Sequence, residues 1–445
     1  MEHRYMQETP KDLKQFYILW STQSLSQLGS AMTTFALTLW LYQSTGSALR
    51  TAFLMVYSYV PYVAVSIFAG ALSDRWDKKK TMLACDTFAA CCTVCTLFLL
   101  ASGKLCPWHL YVLNILTGLM NTIQDPAGNV AYTLITPQDS FHRTSGLMSL
   151  SRSLISVFQP VLATAIYSLG GVQLVAAVDL FTFLIAFLAL AFFIKLPDVP
   201  SGQTTYAEAS LTDSVRSGLA YLRDHRLVFL LIQFLAGVNL VASAFDAVLP
   251  SYILPNPAGG EAALGLVTAA AGASMLLGSL AVSALPAPRD RVRVILYTMV
   301  FSLTADNFLM PFTDRPWLWC VAQFLGYFPV SFMSASMDVV VRSSIPAEMQ
   351  GRVYACRNTL QFFTIPVGYL LGGFLTDHVF EPLIRTSGPD SLPVRLFGAE
   401  KGAGAGMVIF LLGVTAILIC AVYGSLLRPY SFKEAVSDST GKDKD

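Results

Sequence analysis

Apolar stretches long enough to cross a ~30 Å hydrocarbon core, about 20 residues each, recur along the whole chain. They lie near 16–42, 51–72, 81–101, 109–132, 147–168, 173–195, 227–252, 263–285, 294–313, 317–341, 354–378 and 405–427. Each predicts a transmembrane helix, because lipid offers no hydrogen-bond partners and a single span satisfies its backbone only by coiling on itself. The sixth and seventh spans are separated by the longest polar segment. Pro197–Thr205 has the composition of a linker, and Leu211, Val215, Leu219 and Leu222 then recur at helical spacing among Asp213, Arg216, Arg223 and Asp224. That spacing predicts an amphipathic surface helix. The expected architecture is therefore an all-α membrane protein of about 12 transmembrane helices. A six-helix bundle occupies 1–196, a cytoplasmic linker 197–226, a second six-helix bundle 227–430 and a cytoplasmic tail 431–445.

Polar residues inside the spans fall in stripes. The first span carries Gln23, Gln27, Ser30 and Thr34 on one helical face, and the fourth carries Asn114, Thr117, Asn121 and Asp125. The seventh carries Asn239, Ser243 and Asp246, and the tenth Gln323, Tyr327, Ser331, Ser334 and Asp338. Polar side chains facing lipid are costly, so each stripe should face a cavity or another helix. Helix–helix hydrogen bonding accounts for any one stripe. A stripe on the first helix of every three-helix group points to a shared, substrate-sized cavity. The sixth and twelfth spans are almost wholly apolar and should meet lipid, whereas Gly368-x-x-x-Gly372 in the eleventh suits close helix contact.

The two halves also echo each other. Ile135-Thr136-Pro137 with Arg143 follows the fourth span, Ile345-Pro346 with Arg352 follows the tenth, and the next span in each half contains a proline, Pro160 or Pro366. Such weak internal symmetry marks pseudo-symmetric bundles made by duplication.

Composition and charge narrow the reading. A chain that is 54% hydrophobic and 13% charged has too little polar surface to be soluble. With the N-terminus cytoplasmic, 21 of the 29 Lys and Arg residues lie on that side. Six lie outside (Arg50, Lys104, Arg315, Arg385, Arg395 and Lys401), and Arg152 and Arg357 fall within helices. By the positive-inside rule both termini are cytoplasmic, in a multi-pass protein of the plasma membrane. The first span is too long for a secretory signal peptide. A net charge of +1 gives no sign of nucleic-acid binding. Cys91, Cys92 and Cys95 share a span with no His or carboxylate at their depth, so no metal or other cofactor is expected. No Gly-x4-Gly-Lys-Ser/Thr phosphate loop and no nucleophile–base pair is present, which argues against an ATPase and against an enzyme.

After the second span runs Gly70-Ala-Leu-Ser-Asp74-Arg75-Trp-Asp77-Lys-Lys79-Lys80. This loop resembles the signature of the major facilitator superfamily, with Asp77 where glycine is usual, and the resemblance extends over nearly the whole chain. Thr45-Gly46-Ser47, Asp125-Pro126-Ala127, Gly351-Arg352-Val353 and Asp377-His378-Val379-Phe380-Glu381-Pro382 are similar to the macrolide-efflux and enterobactin-exporter-like branch. The resemblance implies a gating latch, in which Gly70, Asp74, Arg75, Lys79 and Lys80 work with Arg352 on the cytoplasmic side. It also implies export of an amphipathic organic molecule (a drug, siderophore or natural product) by alternating access, the chain acting as a monomer in lipid. Proton antiport needs an intramembrane acid that loads and releases a proton near neutrality. The candidates are Asp246 and Asp125, then Asp306 and Asp338; Asp86 and Asp179, on the third and sixth spans, read as structural. Thr117 stands where such antiporters often carry an arginine, and their glycine–proline motif is reduced to Gln159-Pro160; both departures count against standard proton coupling. Two other readings stay open: symport-driven uptake of a small metabolite, and a non-transporting membrane sensor or scaffold.

Overall fold

The computed structural model describes residues 13–196, 220–345, 353, 357 and 359–440, and among them no strand occurs. The first four helices are α1 (Leu13–Thr45), α2 (Ala48–Arg75), α3 (Lys78–Ala101) and α4 (Pro107–Ile135). The next helical run, Phe141–Leu188, is broken at Gly170 and Gly171, where Gly171 takes φ 62° and ψ −161°. Only a residue without Cβ adopts that conformation at little cost. The break separates α5 (141–169) from α6 (172–188), which ends in a π-helical turn, Ala189–Phe193. Beyond the linker come α7 (Arg226–Ile253), α8 (Glu261–Ala284), α9 (Arg291–Leu309) and α10 (Pro316–Ser344). The helix α11 (Thr359–Thr386) contains the segment Thr364–Phe374, a π turn, Leu375–Phe380, and a last segment, Glu381–Thr386. A short helix, Leu392–Phe397, precedes α12 (Ala403–Thr440).

Nine helical segments among the described residues are long and apolar enough to cross a membrane, and one of them, Arg143–Phe193, holds both α5 and α6. The polar stripes of α1 and α4 dilute their hydropathy, and these two helices complete the expected twelve. Large apolar side chains stay exposed on α3 (Phe98), α6 (Phe181, Phe192), α9 (Tyr297) and α12 (Leu418), as a lipid-facing surface requires.

The chain forms two compact units, Met1–Leu37 with Tyr57–Thr205, and Thr38–Val56 with Tyr206–Asp445. In the first, Phe16 and Leu19 of α1 pack with Met82 of α3, Ala127, Ala131 and Ile135 of α4, and Leu190 and Ile194 at the end of α6. Asp77, the departure from the loop signature, caps α3: its carboxylate accepts from the Lys80 amide at 2.8 Å. The start of α9 repeats the device, with Asp290 accepting from the Arg293 amide at 3.0 Å. These matched caps, each followed by basic residues, add to the echo between the halves.

In the second unit α7 is buried on almost every side, with α11 and α12 packed against it, while α10 packs on α8 and α9. The Gly368/Gly372 pair makes the α7–α11 contact: a Cβ built at Gly372 would lie 3.0 Å from the Ala244 Cα. Of the expected surface helix, Leu211, Val215 and Leu219 lie outside the described residues. Its last turn, 220–224, is helical, and Tyr221 donates to the Ser344 carbonyl at 2.5 Å. The α1–α2 turn belongs to this unit as well. Asp377 accepts from Ser47 Oγ (2.5 Å) and from the backbone amides of Ala48 (3.0 Å) and Leu49 (2.9 Å), so a carboxylate of α11 caps the N-terminus of α2.

Two consequences can be measured as the midpoint of heat-induced unfolding in detergent. Asp377→Ala removes the cap and should cost about 1–2 kcal/mol, whereas Asp377→Asn, which keeps a capping oxygen, should lose much less. Gly372→Val forces α7 and α11 apart and should destabilise by about 1–3 kcal/mol. Equal melting of Asp377→Ala and wild type would remove the cap's role.

Candidate functional site

The α1 and α4 stripes meet at one cavity of about 730 Å³ inside the first unit. Gln23, Gln27, Ser30 and Thr34 line it from α1, and Asn114, Thr117, Asn121 and Asp125 from α4. The i, i+3/i+4 and i+7 spacing that defines each stripe gives each helix one polar side, and both sides are turned to the same space.

Two acids on other helices complete the wall. Asp86 of α3 accepts from Gln23 Nε2 at 3.2 Å and from Gln124 Nε2 at 2.5 Å. Asp179 of α6 accepts from Ser30 Oγ (2.9 Å), Thr33 Oγ1 (3.1 Å) and Thr93 Oγ1 (3.3 Å). Gly29 allows this approach, because a Cβ there would stand 3.0 Å from the Asp179 Cα. Both acids therefore hold helices together, as their structural reading expects, and both also line the cavity. Neither belongs to a stripe, so only the fold reveals the second property. Asp125 sits within the field of Arg152 of α5, which lines the same space.

In the second unit the stripes meet other helices. Asn239 Nδ2 donates to the Gln361 carbonyl at 3.1 Å, and Ser243 Oγ donates back to the Asn239 carbonyl at 2.6 Å. Ser331 Oγ donates to the Met275 carbonyl of α8 at 3.1 Å, and Ser334 is exposed. Three polar residues form a tighter group. Tyr327 OH donates to Asp246 Oδ1 at 3.0 Å, linking α10 to α7, and Asp306 of α9 lies close enough for its charge to act on both. Asp306 is buried against Gly326, and its Oδ1, like Gln323 Oε1, has no donor among the described residues. Asp338 is exposed and lies 3.8 Å from the Arg357 guanidinium.

Of the latch residues, Gly70, Asp74 and Arg75 fall in the last turns of α2, and Arg352 lies outside the described residues. Lys79 Nζ donates to the carbonyls of Ala191 (2.9 Å) and Ile194 (2.7 Å), completing the C-terminal end of α6, while Lys80 is exposed.

Residues 8–384 match the family described as transmembrane secretion effector. The chain is 22% identical to macrolide efflux protein A of Streptococcus pyogenes over 367 residues, 82% of this chain and 90% of that protein. It is 20% identical to macrolide efflux protein A of Enterococcus faecalis over 313 residues, 70% of this chain and 96% of that protein. Among solved structures, it superposes on a bacterial homologue of the human lysosomal transporter Spinster, in an inward-facing and occupied conformation, with a TM-score of 0.68, 14% identity, and 94% and 97% of the two chains covered. A mutant of the nucleoside transporter NupG gives a TM-score of 0.67 at 14% identity, over 93% of this chain and 99% of that one. With its twelve-helix fold and the match over most of its length, the chain belongs to the transmembrane secretion effector family of major facilitator transporters.

Proposed function

We propose that this transporter exports an amphipathic organic molecule across the plasma membrane by alternating access, with both termini cytoplasmic and proton exchange as the driving force. The observation that carries the reading is the cavity of about 730 Å³, large enough for a drug-sized molecule and lined by two polar stripes. The efflux proteins among its relatives favour export over uptake. The excess of Lys and Arg in alternate loops favours cytoplasmic termini.

For the proton, the better site is the Asp246–Tyr327–Asp306 group. Asp246 takes one neutral donor, Tyr327, while Asp306 acts on it through charge alone, and neither acid has a basic partner in the contacts described, so a single added charge changes their mutual repulsion strongly in a low-dielectric setting. Asp125 has Arg152 beside it and Asp338 has Arg357, and a fixed positive charge leaves less for a proton to do. Under this reading the Asp377 cap on α2 must break whenever the α1–α2 turn leaves α11.

The test uses the purified chain in proteoliposomes, with an imposed pH gradient and a fluorescent amphipathic dye as cargo. Asp246→Asn and Asp306→Asn should each lower gradient-driven transport at least about tenfold while leaving dye binding within about twofold, since loss of coupling and loss of binding are separate free energies. Wild-type rates in both variants, with unchanged response to the gradient, would remove proton coupling at this group. Dye movement only from lumen to medium in vesicles of known orientation would decide between export and uptake.

A further inference from the structure

The charged groups on the cavity wall are Asp86, Asp125, Asp179 and Arg152. Arg152 acts on Asp125, so this pair is close to neutral as a unit. Asp86 and Asp179 differ. Every hydrogen bond described for their side chains comes from a neutral group: the Gln23 and Gln124 amides for one, the Ser30, Thr33 and Thr93 hydroxyls for the other. Such donors fix where the two carboxylates stand without supplying a positive charge.

Their spacing is also set. Both are held by α1, Asp86 through Gln23 and Asp179 through Ser30, seven residues further on. At 1.5 Å rise per residue the two anchors are roughly 10 Å apart along the helix. Between and around them the wall includes Met82, Leu110, Leu113, Met148 and the Tyr132 ring. The cavity therefore offers apolar surface with two anionic points and little to cancel them. Low-dielectric walls focus such a charge and make it act on anything entering.

We propose that this cavity selects organic cations: molecules with an apolar body and at least one basic or quaternary nitrogen, with Asp86 and Asp179 as the charge-selecting residues. The inference rests on the export reading for its biological meaning, but the selectivity is a binding property and can be measured without transport. Anions of the same shape bind more weakly, because the wall carries three carboxylates against one guanidinium, Arg152. The helix-tying role of the two acids is kept; they do both.

The matched probes are tetraphenylphosphonium and its isosteric anion tetraphenylborate, with binding to the full chain in nanodiscs measured against empty nanodiscs. Wild type should bind the cation saturably and the anion at least about tenfold more weakly. The Asp86→Asn/Asp179→Asn double variant should lose at least about tenfold in cation affinity and most of its discrimination, and Asp86→Glu/Asp179→Glu should retain both. A melting curve on each variant separates loss of charge from loss of fold. If the Asn variant fails to fold, the Glu variant and the wild-type cation-to-anion ratio still decide. Equal binding of the two probes by wild type, no saturable cation binding, or unchanged selectivity in a folded Asn variant overturns the proposal. Wild-type protein that exports only neutral or anionic dyes also overturns it and leaves export standing. Cation binding without movement in energised vesicles does the reverse.

Discussion

Lipid supplies no hydrogen bonds, and that single fact governs how the acids within the described helices are met. A carboxylate inside a span is costly unless donors from its own or neighbouring helices meet it, and each donor from a neighbouring helix joins two helices. Asp86 is met by α1 and α4, Asp179 by α1 and α3, Asp246 by α10, and Asp377 by the free amides at the start of α2. The acids act as rivets. Because their partners are amides, hydroxyls and backbone N–H groups, the bundles are fastened without spending a positive charge. The negative charge on the rivets that line the cavity is therefore not cancelled by the bonds that hold them, which is the basis of the charge selection proposed above.

The same constraint treats the four polar stripes differently. On α1 and α4 the polar side faces open space, and Gln27, Asn114 and Asn121 line it. On α7 and α10 much of the polar side is used up in helix contacts, through Asn239 to α11 and Ser331 to α8. The glycines of α11 bring its backbone against α7, leaving no room beside Ser243 for anything else. A stripe thus records that a helix has a polar side, and the size of the neighbouring residues decides whether that side becomes a wall or a seam.

This explains what could be read in the sequence. The spans were legible because hydropathy over about 20 residues is a local property, and the cavity faces of α1 and α4 were legible because three or more polar residues repeat at helical spacing. The double glycine at 170–171 lies inside a 51-residue helical run, and the apolar pattern still placed a boundary between the fifth and sixth spans there. Asp86 and Asp179 were not legible as cavity residues, since each lies off the polar stripes and its meaning depends on which helix it touches. The Asp377 cap joins residues 328 to 330 positions apart. Both of its ends were visible as family-like segments, but nothing in one sequence says that they meet. Asp77 shows the opposite case: its place before a basic helix start follows the ordinary preference for Asp at an N-cap, and the structure gives that departure from the signature a local reason.

The acids of the two units differ in one respect that bears on coupling. Asp86 and Asp179 have all four carboxylate oxygens met by donors, whereas Asp306 keeps an oxygen with none among the described residues and lies within the field of a second acid, Asp246, whose described donor is the Tyr327 hydroxyl. A buried acceptor left unmet costs about 1–3 kcal/mol, and a second negative charge nearby adds to that. A fully bonded acid loses bonds when its charge changes; an under-bonded pair gains from the change. On the coupling proposed above, the proton therefore belongs with Asp246 and Asp306, and the cargo's positive charge with Asp86 and Asp179. Dividing the two tasks between different acids means that binding a cation need not displace the proton from the same carboxylate.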